Sequence, residues 1–261
     1  MSEFSREWLA LREPFDVATR SRELARRFAA AVEPGGLIVD LGAGTGANAR
    51  FLAPYFDQRV RWHLVDADPA LLSEASRQAP AATVDTPRLD LSRDLETAIS
   101  KADAVTASAL LDLVSRPWID RLVAALADRR VPALFALSVD GRHALDPTDP
   151  EDSRILAAFA RHQLGDKGFG RALGPRAVAV IAEGLRARGA VVEVAPSDWR
   201  IGPSDTAMLR ALLDGIAAAV TEAERASAAA IAAWRSRRDA QIAAAELRAV
   251  VGHQDVLALW R

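Results

Sequence analysis

A chain of 261 residues that is 50% hydrophobic has the length for one large α/β domain with elaborations rather than two independent cores. Its 33 basic and 35 acidic side chains leave a formal charge of −2, too little to hold nucleic acid or an anionic membrane by long-range attraction. The absence of cysteine excludes disulfides, thiolate metal sites and cysteine nucleophiles.

In chain order, Ser2, Glu3 and Arg6 open the sequence without an apolar core of signal-peptide length. Residues 4–32 read as helical and amphipathic, with Pro14 in the first turn of a helix over 15–31 that places Val17, Leu24 and Phe28 on one side. Pro34-Gly35-Gly36 ends it, and Leu37-Ile38-Val39 is a short buried strand leading into a glycine turn and a helix over 47–52. Strand-like and helical segments then alternate. Strands are expected at 60–65, within 81–91, at 104–108, at 134–139 and at 191–194; helices are expected at 69–79, 117–128 and 176–188. Such alternation implies a parallel sheet covered on both faces, because parallel strands need crossovers.

Two stretches interrupt the pattern. Residues 141–174 are rich in Asp, Pro, Gly and His and hold a helix over about 152–164. Residues 205–245 are almost wholly helical, and 247–260 regain strand character, with Gly252 implying a bulge beside His253. The basic run Arg235-Ser236-Arg237-Arg238 lies in this helical pattern without aromatics and reads as a solvated helix face. No segment reaches the roughly 18 uninterrupted apolar residues of a membrane span; 212–220 comes closest but contains Asp214 and Gly215. The expectation is a soluble cytoplasmic protein with no membrane and no nucleic-acid partner.

The chemistry concentrates at Asp40-Leu41-Gly42-Ala43-Gly44-Thr45-Gly46. Glycines at this spacing after a strand let backbone approach a ligand closely. Gly42, Gly44 and Ala47 also satisfy the dinucleotide pattern, so a nicotinamide cofactor stays open at this point. Asp40 at the strand end, Gly46 and the second-strand sequence Asp66-Ala67-Asp68-Pro69-Ala70-Leu71-Leu72 favour a sulfonium cofactor instead.

At residues 39–46 and 64–72, and more loosely from 37 to 194 and in the last strand, the chain resembles the class I S-adenosylmethionine-dependent methyltransferases. That resemblance implies a Rossmann-like, doubly wound, mainly parallel sheet of seven strands, the last antiparallel, with helical lid insertions. It implies a helical cap over 1–34 and a methyltransferase domain over 35–261, with insertions at about 141–174 and 205–245. It places Asp40, Gly42, Ala43, Gly44 and Gly46 under the methionine and ribose, and Asp66 with Ala67 at the ribose hydroxyls. Asp90 and Leu91 fall at the adenine, and Ser108 at the sulfonium end.

On the N-terminal helix Arg12, Asp16 and Arg20 lie close together, and Arg20 is expected to pair with the cofactor's carboxylate. His143 and His162 in the first insertion are the candidates for a base. His143, Asp146, Asp149 and Asp152 suggest a metal only superficially, because Asp-Pro pairs start turns and Asp152 suits a helix cap; no metal is expected. The glycine density of Gly165-Asp166-Lys167-Gly168-Phe169-Gly170 suggests a lid or ligand-contacting loop. The expected reaction is methyl transfer from S-adenosylmethionine to an oxygen or nitrogen of a small metabolite, leaving S-adenosylhomocysteine. The rival readings are an NAD-dependent oxidoreductase and a non-catalytic S-adenosylmethionine-binding module acting through a partner. The 205–245 helices are a possible homodimer surface.

Overall fold

The computed structural model describes residues 5–56, 59–79 and 83–260. Residues 1–4, with Ser2, Glu3 and part of the expected cap, and residues 81–82 of the weak strand segment lie outside it.

The N-terminal helix is two helices. α1 (Arg6–Thr19) starts at Ser5, whose hydroxyl accepts the Trp8 amide, so Pro14 falls inside the helix and not in a first turn. α2 (Arg22–Ala30) starts afresh because the Ser21 hydroxyl takes the Leu24 amide while the Ser21 amide goes to Asp255. That long-range bond anchors the break to the last strand.

The sheet elements follow: β1 (Leu37–Leu41), β2 (Arg61–Val65), β3 (Val84–Asp85), β4 (Ala104–Ser108), β5 (Ala133–Asp146), β6 (Val191–Pro196), β7 (Trp199–Ile201) and β8 (Arg248–Leu259). Their order is β3-β2-β1-β4-β5-β8-β6, with β7 paired to β8. β1 to β5 pair in parallel, and β8 runs antiparallel to β5, β6 and β7. β1 is buried at every residue, as a central parallel strand requires. Crossovers on the two faces come from α3 (Ala47–Leu52), α4 (Pro69–Arg77), α5 (Leu95–Ile99), α6 (Arg116–Arg129) and, after α7 (Asp152–Gln163), α8 (Ala177–Arg186). The expected mainly parallel architecture is present, with β7 as an additional three-residue strand.

β5 runs well past the expected 134–139. It bends at irregularities between Phe135 and Ser138 and between Val139 and His143, then pairs Asp146 with Arg248 and His143 with Val251. Leu137 adopts a left-handed φ of 56° at the first irregularity, and its amide is held by Asp255. The bulges therefore belong to β5, while β8 continues through Gly252. A Cβ at Gly252 would land on the Asp140 carboxylate, which is the local reason for glycine there.

The extended β5–β8 ribbon projects beyond the carboxyl ends of the parallel strands. α7, α9 (Thr206–Ala223) and α10 (Ala228–Ala243) pack on it around Ile155, Leu209, Ile216, Trp234 and Val251. Within α10 the basic run is not a solvated face. Arg238 is fully buried, the Arg235 side chain is 14% exposed, and Arg237 pairs with Asp149. No described helix is long and apolar enough to cross a membrane.

Candidate active site at the strand ends

Beyond β1 the chain turns three times into the left-handed region, at Gly42 (φ 66°), Gly44 (φ 54°) and Gly46 (φ 80°). A Cβ at Gly42 would meet only ordinary contacts from Leu110, so dihedral angle rather than crowding demands glycine. Asp66, just after β2, straps the turn: one carboxylate oxygen accepts the Gly44 amide at 2.9 Å and the other the Asp68 amide at 3.0 Å. Asp68 then caps α4 through the Ala70 and Leu71 amides, with Pro69 in the first turn.

A cavity of about 440 Å³ opens over this turn. Gly42, Gly44, Asp66 and Ala67 line it, as do Asp90, Leu91 and Ser108. These are seven of the eleven residues expected at the cofactor, brought together from the ends of β1, β2 and β4 and the segment after β3. Each Asp66 oxygen holds one backbone donor and retains acceptor capacity towards the cavity. Asp90 accepts both the amide and hydroxyl of Ser92, and these bonds hold its carboxyl below the usual range. Arg88 donates to the Ala67 carbonyl at 3.1 Å and closes that wall.

Asp40, Ala43, Gly46 and Arg20 do not line the cavity; they stand behind it. The Ala43 amide ties the turn to Val65, and a Cβ on Gly46 would press on Ala75. Asp40 is fully buried, with one oxygen on Asn48 at 2.6 Å and the other without a partner. Asn48 also donates to Thr106, whose hydroxyl donates to the Leu134 carbonyl, so the network joins β1, α3, β4 and β5. Burial pushes the Asp40 carboxyl up to about 7, opposed by the Asn48 bond and the Arg20 charge and assisted by Asp66. Arg20 is 5% exposed, lies 4.0 Å over the Phe51 ring, and leaves Nε and one Nη without partners.

A testable consequence follows for stability. A carboxyl with a folded-state pKa near 7 and an ordinary unfolded value binds more protons when folded, so its contribution falls as pH rises between the two. The advantage of Asp40→Asn over the wild type is therefore expected to grow from about pH 4 to about pH 7 and to level off above. Urea melts of the two proteins across that range check it; a constant difference rejects it.

Neither candidate histidine reaches the cavity lining. His143 packs edge-on against Phe159, and burial lowers its pKa. His162 on α7 faces Glu222 at 3.3 Å. His253 is buried against Trp199, its centroid 4.7 Å away, and burial followed by the Arg12 charge lowers its pKa to about 4. Among the described residues no group of three or more His, Asp or Glu is placed to hold a metal ion.

The cavity also includes residues not singled out as cofactor ligands. Leu9 and Arg12 enter from α1, Leu110 and Leu113 from the turn after β4, and Lys167, Gly168 and Phe169 from the glycine-dense loop. The loop is folded onto the body: Asp166 accepts the Gly168 and Gly170 amides, and Phe169 packs edge-on against Trp118.

Residues 38–132, which hold the turn, Asp66, Asp90 and β4, match the family model described as Methyltransferase domain. The matched segment is over a third of the chain, and within it the chain is similar to methyltransferase domains. No curated protein matches this chain in sequence. Among solved structures, a protein assigned as a type II methyltransferase from Anaeromyxobacter dehalogenans shares 18% identity at a TM-score of 0.50, over 92% of this chain and 96% of its own. Cyclopropane synthase MmaA2 from Mycobacterium tuberculosis is 14% identical at a TM-score of 0.49, over 99% of this chain and 87% of its own. Phosphoethanolamine N-methyltransferase 2 from Haemonchus contortus, solved with S-adenosyl-L-methionine, is 14% identical at 0.49; this chain spans 58% of its length. At such identities the likeness concerns the fold.

Proposed function

We propose that the chain transfers the methyl group of S-adenosylmethionine to an oxygen or nitrogen of a small metabolite. The observation that carries this reading is one continuous cavity, running from Asp66 and Asp90 over the glycine turn to Ser108 and on to α1. Its volume lies in the range of roughly 300–1,000 Å³ usual for small-ligand sites.

The residues present suit the cofactor. Asp66, with two partly engaged oxygens, would hold the ribose hydroxyls, and Asp90 with Leu91 would meet the adenine. The left-handed glycines would pass backbone under the methionine, and Ser108 would line the sulfonium end. When bound, the cofactor supplies an electrophilic methyl group. The chain's own part is to orient the acceptor and exclude water, which supplies most of what such a displacement needs. Past β4 the lining, among the described residues, holds no carboxylate and no histidine, so no lining side chain there serves as a carboxylate or imidazole base. The segment expected as an N-terminal cap contributes Leu9 and Arg12 to this end.

A docking module acting through 205–245 gains no support. The large apolar side chains exposed among the described residues are Val17, Val191 and Val194, none of them on α9 or α10.

Calorimetry tests the cofactor half: S-adenosylhomocysteine is expected to bind in the micromolar range and NADH not at all, and the reverse result rejects the reading. Transfer of a labelled methyl group into a metabolite extract tests the acceptor half. Label found only in protein or nucleic acid excludes a small acceptor.

A further inference from the structure

The two ends of the cavity differ in charge. The cofactor end carries Asp66, Asp68 and Asp90, with Arg88 turned onto the Ala67 carbonyl. The end beyond β4 is walled by Leu9, Leu110, Leu113 and Phe169, and its ionic lining residues are Arg12 and Lys167, both cations.

Arg12 is a built group rather than a surface arginine. It is 8% exposed, and its guanidinium lies 5.0 Å from the Trp199 ring. Its side edge is spent on Asp16, Nε at 3.0 Å and Nη2 at 3.3 Å. Asp16 is fixed in turn by the Trp199 indole N–H at 2.9 Å, a contact joining α1 to β7. The end edge of the fork, Nη1 with the second Nη2 proton, has no hydrogen-bond partner among the described residues. A guanidinium so held presents a planar pair of donors matched to a carboxylate. The other ionisable groups near it stand behind the wall. Asp16 occupies the opposite edge, Asp112 is buried within the turn after β4, where burial raises its pKa and the Arg12 charge opposes that rise, and His253 is kept neutral by burial.

We propose that the cavity beyond β4 is a carboxylate subsite, in which the free edge of Arg12, assisted by Lys167, holds the acid group of an acceptor with an apolar body. This rests on the methyl-transfer reading of the cavity and narrows its substrate to apolar carboxylic acids. A second source of the same chemistry is the methionine carboxylate of the cofactor. Position favours the acceptor, because Arg12 packs against Trp199 of β7, on the far side of β4 from Asp66 and Asp90.

The test uses the full chain saturated with S-adenosylhomocysteine and titrated with 3-phenylpropionate or its neutral amide. The wild type is expected to bind the acid about ten-fold or more tightly than the amide, as one charge-assisted hydrogen-bond pair implies. The double variant R12Q/D16N, which removes both partners of the Arg12–Asp16 ion pair, is expected to bring the two probes within about two-fold of each other. K167M, a loop substitution, lowers the preference by about three-fold and serves if the double variant fails to fold. A wild type that does not prefer the acid, or binds neither probe, overturns the subsite, as does a preference that survives both variants. If R12Q/D16N instead weakens S-adenosylhomocysteine but not 5′-methylthioadenosine, which lacks the amino acid, Arg12 serves the cofactor and the acceptor assignment is overturned. Failure of the wild type to bind S-adenosylhomocysteine at the outset identifies the underlying reading as the one at fault.

Discussion

Asp66→Ala is expected to weaken S-adenosylhomocysteine by about 100-fold or more. Two terms contribute. The carboxylate is the group at the β2 end of the cavity able to accept two neighbouring hydroxyls, and hydrogen bonds to a charged group are worth about 1.5–3 kcal/mol each. It also holds the Gly44 amide at 2.9 Å, so its loss releases the turn that shapes the floor. Asp66→Asn separates the two, because an amide keeps one acceptor oxygen while losing the charge and the second acceptor. An intermediate loss of about ten-fold is expected for it. Calorimetry on both variants, with melting curves to confirm folding, makes the comparison. Affinity within about three-fold of wild type for Asp66→Ala would falsify the assignment of the ribose subsite.

The part of the site centred on Asp66 was legible because it is local. Gly42, Gly44 and Gly46 follow directly on a strand, and Asp66-Ala67-Asp68-Pro69 announces a strand end and a capped helix within four residues. Each is a backbone requirement met by a residue type that meets it best. β4 was legible for a related reason: a central parallel strand reads as an unbroken run of small and apolar residues, Ala104 to Ser108.

Other features depend on partners far along the chain. β7 is Trp199-Arg200-Ile201, too short to show a period, and it exists because β8 extends to offer it an edge. The break between α1 and α2 is set by Asp255 binding the Ser21 amide, although Ser21 itself was a readable cap. Arg12 was visible as a neighbour of Asp16, but its orientation depends on Trp199, 183 residues beyond Asp16. Arg20 was expected at the cofactor because one turn separates it from Asp16. The chain leaves the helix at Arg20, and the side chain turns inwards over Phe51.

The basic run in α10 shows the same limit, and its correction carries the largest expected effect on stability. Arg238 is fully buried and donates to the Pro147 carbonyl and to Gln241, both at 2.6 Å, while its Nη2 meets Asp152. Asp152 also accepts the Trp234 indole N–H at 2.9 Å and the Asp149 amide at 2.8 Å. One arginine thus ties α10 to the start of α7 and to the segment after β5. Removing one partner of a buried ion pair leaves an uncompensated charge, at a cost of about 3–5 kcal/mol. Arg238→Met is therefore expected to destabilise the chain by about 3 kcal/mol or more, and to lower its melting temperature by roughly 6–12 °C. Adding Asp152→Asn removes the stranded charge while keeping an acceptor for Trp234, so the double variant is expected to be more stable than R238M alone. None of these residues lines the cavity, so R238M, measured well below its melting temperature, is expected to bind S-adenosylhomocysteine with wild-type affinity. Strictly additive losses in denaturant melts would mean that the two groups act independently.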